Sequence, residues 1–324
     1  MSIRIIEPSL NSTPQDLGRK NYASLGIARS GAMDEDSLIL ANILLGNRID
    51  EAGIELCLNG GKYEFLEAHY FVLSGADFEA KLEGKKIQTC KVYKAQKGDI
   101  LELGVAKVGF RGYLCIAGGF GIKSFLGSKA SDSKMGVGLF SGRNLMAGDI
   151  LPSNDNTSFV PFNVNARQCK NLIFDMPQEL TIRIILGSND DAFSLKGIET
   201  FLNTTYKVGL KSDRMAIYAE SNAIIEHKNS ADIISDPIVF GSIQVPKSGK
   251  PIVLMAGRQS TGGYTKIATV IQNDLTLLAQ ARLGAELRFQ SIDFDCALNL
   301  YKQRAQYFKD LDKALNLDFE NLLC

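Results

Sequence analysis

Along most of the chain, apolar and polar residues alternate in short runs broken by Gly, Asp, Asn and Ser. Alternation with a period of two marks a half-buried strand, because successive side chains leave opposite faces. The pattern predicts strands at 3–6, 63–65, 70–73, 87–93, 100–103, 108–116, 180–186 and 252–256. They come in runs, without the strand–helix rhythm of a parallel sheet. Helical spacing is rarer. Residues 34–45 begin with acidic side chains and stop before Gly46, as helix ends favour. Residues 190–202 set Phe193, Phe201 and Leu202 roughly on one side. Residues 273–283 open on Asn273 as a cap and stop at Gly284. The most regular helical period lies at 294–315, where Phe294, Ala297, Tyr301, Ala305, Phe308, Leu311 and Leu315 recur at steps of three and four. Such a stripe is expected to pack across the body of the protein, or against a partner. The predicted class is α+β and β-rich, with barrel or sandwich pieces, a few helices and a C-terminal amphipathic helix.

A length of 324 residues accommodates two domains. Polar turn text at 152–158, with Pro161 and Pro177 beyond it, predicts a linker at about 153–175. That leaves an N-terminal β-barrel-like domain at 1–152 and a C-terminal domain at 176–324.

Charge narrows the functions. Lys plus Arg is 36 and Asp plus Glu is 36, so net charge is 36 − 36 = 0. This argues against a nucleic-acid partner and against a polybasic membrane surface. No apolar run approaches the ~18–20 residues that cross a bilayer. No signal-like stretch precedes Glu7 and Pro8, so a cytoplasmic protein without a membrane partner is expected. None of the six cysteines is spaced as C-x-x-C, which argues against a zinc ribbon. They read as small buried hydrophobes in a reducing compartment. His69 and His227 are the only histidines, so no metal site is readable and both are expected to be structural or exposed. Chemistry must then fall to carboxylates, hydroxyls, Arg, Lys and backbone N–H groups. There is no P-loop and no dinucleotide fingerprint. Ser131-Asp-Ser-Lys134 lacks the companion motifs of an S-x-x-K enzyme. No Met-Lys-Met segment is present, so no covalent biotin is expected on this chain.

Three stretches are dense in Gly, Arg and small polar residues. The first runs from Thr13 through Asp16 and Arg19 to Ser30, Gly31, Met33 and Asp34. The second holds Arg111, Gly118, Gly119, Arg143 and Asp149. The third holds Gln244, then Gln259, Ser260, Thr261, Gly262, Gly263 and Tyr264. Glycine lets backbone approach a ligand, and Arg offers a planar fork to carboxylate or phosphate. Residues 259–264 read as a loop whose N–H groups surround an oxyanion. The same glycines also suit barrel corners and tight turns.

Taken in order, these segments resemble the biotin-dependent carboxyltransferase / allophanate hydrolase subunit 2 family. The resemblance rests on Gln15-Asp-Leu-Gly-Arg19, Ser30-Gly-Ala-Met-Asp34, Arg111-Gly-Tyr113, Ser212-Asp-Arg-Met215, Gly241-Ser-Ile-Gln-Val-Pro246 and Gln259-Ser-Thr-Gly-Gly-Tyr264. Where that family has Asp two places before the last motif's Gln, this chain has Gly257. Ser260 replaces a Thr, Thr265 replaces a Pro, and Ser235-Asp236-Pro237 stands for Ser-Glu-Gly. The resemblance implies two cyclophilin-like β-barrel units. It implies a hydrolase, one component of an ATP-dependent 5-oxoprolinase that opens 5-oxoproline to L-glutamate. Its implied partners are the KipI-like B component and the A component of that enzyme. ATP is then a co-substrate of the complex, and the substrate is a small amide. Arg19, Arg111 and Arg214 are implied to bind or stabilise anionic groups, with Arg143 and Arg258 as further candidates. Asp16 and Asp34 would orient them or act as a base, or would simply shape a turn and a helix start. Ser30, Gly31, Met33, Gln244 and 259–264 are expected to bind substrate. Two other activities fit the same resemblance: a biotin-dependent carboxyltransferase acting on urea or a related amide, and a non-catalytic protein that sequesters a KipI-like kinase inhibitor.

Overall fold

The computed structural model of the chain describes residues 2–154, 167–172, 176, 177 and 179–316. Most of the expected linker at 153–175 lies outside these residues. The chain divides into two compact units that are not contiguous halves. The first draws its described residues from Met1–Arg19, Asp34–Asp175 and Ala305–Cys324, and the second from Lys20–Met33 and Met176–Arg304.

The first unit is an eleven-stranded sheet among the described residues. Its main path runs Lys85–Lys86, Lys81–Leu82, Ile100–Val105, Asn59–Phe65, Gly53–Cys57, Val108–Ile116, His69–Asp77 and Val92–Ala95. Ile3–Glu7 pairs with Asn59–Phe65 and with Ile150–Leu151, and Thr13–Gln15 pairs with Gly53–Cys57. Pro14 lies in that last, peripheral strand, where a residue without an N–H is tolerated. Helix α1, Glu35–Leu45, packs on His69–Asp77 and Val108–Ile116. Its buried Leu38, Leu40, Ile43 and Leu44 explain why a short helix persists.

The second unit is a closed barrel. Its order is Glu179–Leu186, Lys266–Val270, Ser242–Gln244, Ile252–Leu254, Ala216–Glu220, Tyr206–Val208 and Glu286–Ser291. Closure comes from a parallel pairing of Glu179–Leu186 with Glu286–Ser291, which opposes Ile182 to Phe289. Leu180, Ile182 and Ile184 point inward while Glu179 and Thr181 face solvent. That alternation is what made the strand legible. Phe193, Phe201, Tyr206, Ile243, Val253 and Phe289 fill the core. Helices α2, Leu195–Asn203, and α3, Gln272–Gln280, belong to this unit. Helix α4 spans Phe294–Asn316. The β-rich reading with few helices therefore holds.

Several local expectations are corrected. The strand expected at 87–93 is interrupted, because Cys90 adopts a left-handed backbone (φ 57°). The helix expected at 190–202 breaks into a turn at Asp190–Ala192 and α2, with Ser194 accepting from Gly197 N at 2.9 Å as the cap. Asn273 does not cap α3; it lies inside the helix and donates to Leu300 O at 3.1 Å. Of the α4 stripe, Ala297 and Phe308 are buried, whereas Phe294 and Tyr301 are 65% and 49% exposed. Helical spacing specifies a face, but it does not supply the surface that covers it. Cys57, Cys90 and Cys115 are buried as expected, but Cys169 is half-buried and Cys296 exposed.

Candidate functional site

In the first unit, the turn after Thr13–Gln15 meets residues 128–132. Asp16 is buried and accepts from Gly18 N at 2.7 Å, Ser128 Oγ at 2.8 Å and Lys129 N at 2.6 Å. This carboxylate shapes the turn and holds the facing segment. Lys129 in turn pairs with Glu51 at 2.5 Å. Arg19 is 2% exposed. Its Nη2 donates to Ala130 O, and its guanidinium lies 5.8 Å from the Phe125 ring centre. The Nε and Nη1 groups are buried and have no hydrogen-bond partner among the described residues. Burial lowers the Arg19 pKa from its ordinary value, against the opposing pull of Asp132 and Asp16. Gln15 Nε2 donates to Thr13 Oγ1 and Ser131 O, while Gln15 Oε1 is buried without a hydrogen-bond partner among the described residues. Unmatched buried polar atoms cost free energy unless something else satisfies them.

A second buried network in this unit starts at Asp34. Asp34 caps α1, accepting from Ser37 N at 3.0 Å and Ser37 Oγ at 2.6 Å. Its own N–H donates to the Tyr113 hydroxyl at 2.9 Å, which donates to Glu55 Oε2 at 2.8 Å. Arg111 faces the other Glu55 oxygen at 3.9 Å. Burial, then Glu55 and Asp34, push the Tyr113 phenol well above its ordinary range, so it stays a neutral relay. Asp34 and Arg111 thus meet through Glu55 and Tyr113 in a held, internal arrangement. Arg143 is committed elsewhere, gripping Asp149 with two bonds of 2.7 Å.

In the second unit, Ser30 and Gly31 form a left-handed turn whose Gly31 carbonyl accepts from Arg214 Nη2 at 2.5 Å. Met33 packs into the barrel core, where it fills space and has no open face for a ligand. The Arg214 carbonyl accepts from Gly257 N at 2.7 Å. A Cβ at Gly257 would lie 3.1 Å from that carbonyl oxygen, so the glycine permits the close approach. Arg258 is buried over Phe240, donating to the carbonyls of Met255 and Ile238.

Of the expected anion-cradling loop at 259–264, Gln259 and Ser260 lie outside regular structure, but the rest is not a loop. Thr261–Tyr264 is a strand, paired in a two-stranded ribbon with Asp232–Pro237. Ser260 O also accepts from Ile238 N at 2.9 Å. Backbone pairing therefore engages the segment that was expected to surround a ligand. Gln259, Thr261 and Tyr264 are exposed, and Ser260 is half-buried. The ribbon brings other groups together. Gln244 is buried beneath Gly262 and donates to Tyr264 O at 3.2 Å. A Cβ at Gly262 would lie 2.6 Å from Gln244 Nε2 and 2.5 Å from Ile238 Cδ1, so any side chain there must move the ends of those two. Opposite Gln244 in the barrel stands Lys266, 7% exposed, whose ammonium pairs with Asp236 and donates to Pro237 O at 3.0 Å. A buried cation, a carboxylate and an amide thus share one edge of the barrel.

Glu55 and Lys266 were not anticipated. Glu55 is a charge inside an apolar strand, Ile54-Glu55-Leu56, and that interruption was the available signal; Lys266 opens its strand and left no such mark. His69 and His227 are structural, as expected. His69 meets Ser2 Oγ at 2.8 Å, and His227 meets Val245 O and Thr265 Oγ1, each at 3.1 Å. Among the described residues, no three His, Cys, Asp or Glu side chains form a metal-binding group.

The family described as carboxyltransferase domain, subdomain A and B, matches residues 25–291. The chain belongs to this family. The chain is 35% identical to the 5-oxoprolinase C subunit of Haemophilus influenzae, over 97% of this chain and 99% of that one. It is 31% identical to the 5-oxoprolinase C subunit of Escherichia coli, over 95% of this chain and 97% of that one. Its fold matches the crystal structure of the Kluyveromyces lactis urea carboxylase with a TM-score of 0.88, at 25% identity, over 98% of this chain and 30% of that one. No helix among the described residues is long and apolar enough to cross a membrane.

Proposed function

We propose that this carboxyltransferase domain is one component of an ATP-dependent 5-oxoprolinase, acting with the KipI-like B component and the A component to open 5-oxoproline to L-glutamate. The observation that carries the reading is the similarity to the Haemophilus influenzae relative across nearly the whole of both chains. The reaction has a definite chemical need. A lactam is a poor electrophile, and phosphorylating its oxygen at the expense of ATP makes attack by water feasible. The substrate also carries a carboxylate, which a guanidinium recognises well.

Each unit offers one set of groups suited to part of that task. Arg19 has two buried donors without partners among the described residues and a charge weakened by burial. A carboxylate or phosphate seated against it would relieve both costs. Lys266, held by Asp236 beside Gln244, offers a fixed positive charge and an amide to an oxygen that gains negative charge. The two sets are separate candidates. Asp16 and Asp34 serve as positioning groups in this reading, because their carboxylates accept hydrogen bonds within the fold, and Arg111 is placed with them by its Glu55 neighbour at 3.9 Å.

A second reading, carboxyl transfer to urea or a related amide from biotin on another chain, is favoured by the likeness to the urea carboxylase. Substrate choice separates the two. The assembled complex, given ATP and either 5-oxoproline or urea with bicarbonate, a biotin carrier and its biotin carboxylase, is expected to couple ADP release to product formation only with 5-oxoproline. ADP release that follows urea and the carrier instead would replace the first reading by the second.

A further inference from the structure

The first unit holds a thiol pair that the proposed reaction does not use. Cys90 precedes the strand Val92–Ala95, and Cys169 lies in the segment 167–172. The two stretches run antiparallel, with Lys91 opposite Gln168. Val92 N donates to Arg167 O and Cys169 N donates to Cys90 O, each at 3.0 Å. This register sets Cys90 directly against Cys169. Directly opposed antiparallel residues have Cβ atoms roughly 4.5–5.5 Å apart, and a disulfide spans about 3.5–4.5 Å, so with Cys90 in a left-handed backbone the bond would form with a shift of about 1 Å between the two segments. The two thiols lie close enough for each to act on the other's titration.

The pair is asymmetric. Cys90 is buried and Cys169 half-buried. Cys90 Sγ also approaches Asn171 Oδ1 at 3.5 Å, and Asn171 Nδ2 is anchored to Gly75 O at 2.8 Å. Interaction between the two thiols lowers the Cys169 pKa from its ordinary value and, with burial, pushes Cys90 up. The accessible sulfur is therefore the better nucleophile, and the buried one stands behind it as a resolving group.

We propose that Cys90 and Cys169 are a redox-sensitive dithiol that peroxide-class oxidants convert to an intrachain disulfide. The Cys169 thiolate attacks one peroxide oxygen, the O–O bond breaks, and two electrons pass from sulfur to peroxide. The products are Cys169 sulfenic acid and, after protonation of the leaving hydroxide, one water. Cys90 sulfur then attacks Cys169 sulfur. The S–S bond forms, the S–O bond breaks, and the departing hydroxide leaves with the Cys90 proton as a second water. The link would fasten segment 167–172, whose Arg167 donates to Leu315 O of α4 at 2.8 Å, to the sheet.

The test uses the reduced full-length chain treated with hydrogen peroxide, followed by thiol counting in denaturant and non-reducing peptide mapping. Two of the six thiols are expected to disappear, with a linked Cys90–Cys169 peptide that dithiothreitol releases. Cys169→Ala, at a half-buried position, should abolish the linked peptide, while Cys296→Ala should leave it intact. Recovery of both Cys90 and Cys169 as alkylated thiols would overturn the proposal. So would Cys169 sulfinic acid beside a free Cys90, or a link made through Cys296.

Discussion

Arg19 concentrates the strongest imbalance between burial and satisfaction in the proposed machinery. An arginine this enclosed ordinarily meets a carboxylate or several carbonyls, yet Ala130 O is the one acceptor paired with its guanidinium among the described residues. Arg19→Lys keeps a charge and loses the fork. It is expected to raise the KM for 5-oxoproline about tenfold or more, which corresponds to roughly 1.4 kcal/mol of lost binding. An unchanged KM in a folded variant would remove Arg19 from substrate binding. Gly262 is the complementary case, a position where an added side chain must move its neighbours. In Gly262→Ala the new methyl must displace Gln244 or Ile238. We expect a loss of about 1–3 kcal/mol in urea unfolding together with reduced turnover. Wild-type values for both would mean that the ribbon yields without consequence. The glycines around 262 stood out in the sequence, but their purpose did not, because close packing on a side chain and cradling of a ligand leave the same residue type. Gly257 is similar: its contact with the Arg214 backbone is long-range and leaves no local mark.

Elements were legible where one rule sufficed. The strand Val108–Ile116 was expected with these same bounds, and α1 with its acidic start and its Gly46 stop. The strand at 87–93 failed because a single left-handed residue, Cys90, breaks the extension while leaving the apolar pattern intact. The polar loop at 259–264 failed for the opposite reason. Its composition suited a turn, but the partner strand Asp232–Pro237 lies far enough away in sequence that pairing could not be read locally. The head of α1 offers a direct test. Asp34→Ala removes the cap and is expected to cost about 1–2 kcal/mol, whereas Asp34→Asn should retain most of it. Chemical denaturation distinguishes the two. Equal losses would mean that the negative charge, and not the capping bond, is what matters there.

At the scale of the whole molecule, both histidines respond to pH in the same direction. Burial holds His69 and His227 below the ordinary imidazole range. As pH falls through roughly 6.5, the unfolded chain takes up protons that the folded chain resists. Their contribution is therefore fully present above the unfolded value and is lost as pH falls toward the folded values. Tm is expected to drop between about pH 7.5 and 5.5, and His227→Gln should shrink the drop. A Tm that holds or rises would contradict this. The family and the β-rich class were readable because motifs at 15–19, 30–34 and 241–264 keep their order along the chain. The division into units was harder to read, since Lys20–Met33 groups with the second unit and Ala305–Cys324 with the first. Contiguous text does not announce such exchanges. The 5-oxoprolinase role proposed for this chain is tested most directly by combining it with the two proposed partners, a KipI-like B component and an A component, together with ATP and 5-oxoproline. Glutamate and ADP are followed with each protein omitted in turn. Glutamate is predicted only when this chain is present with both partners. Equal glutamate from the two partners alone, or none from the full assembled complex, would contradict it.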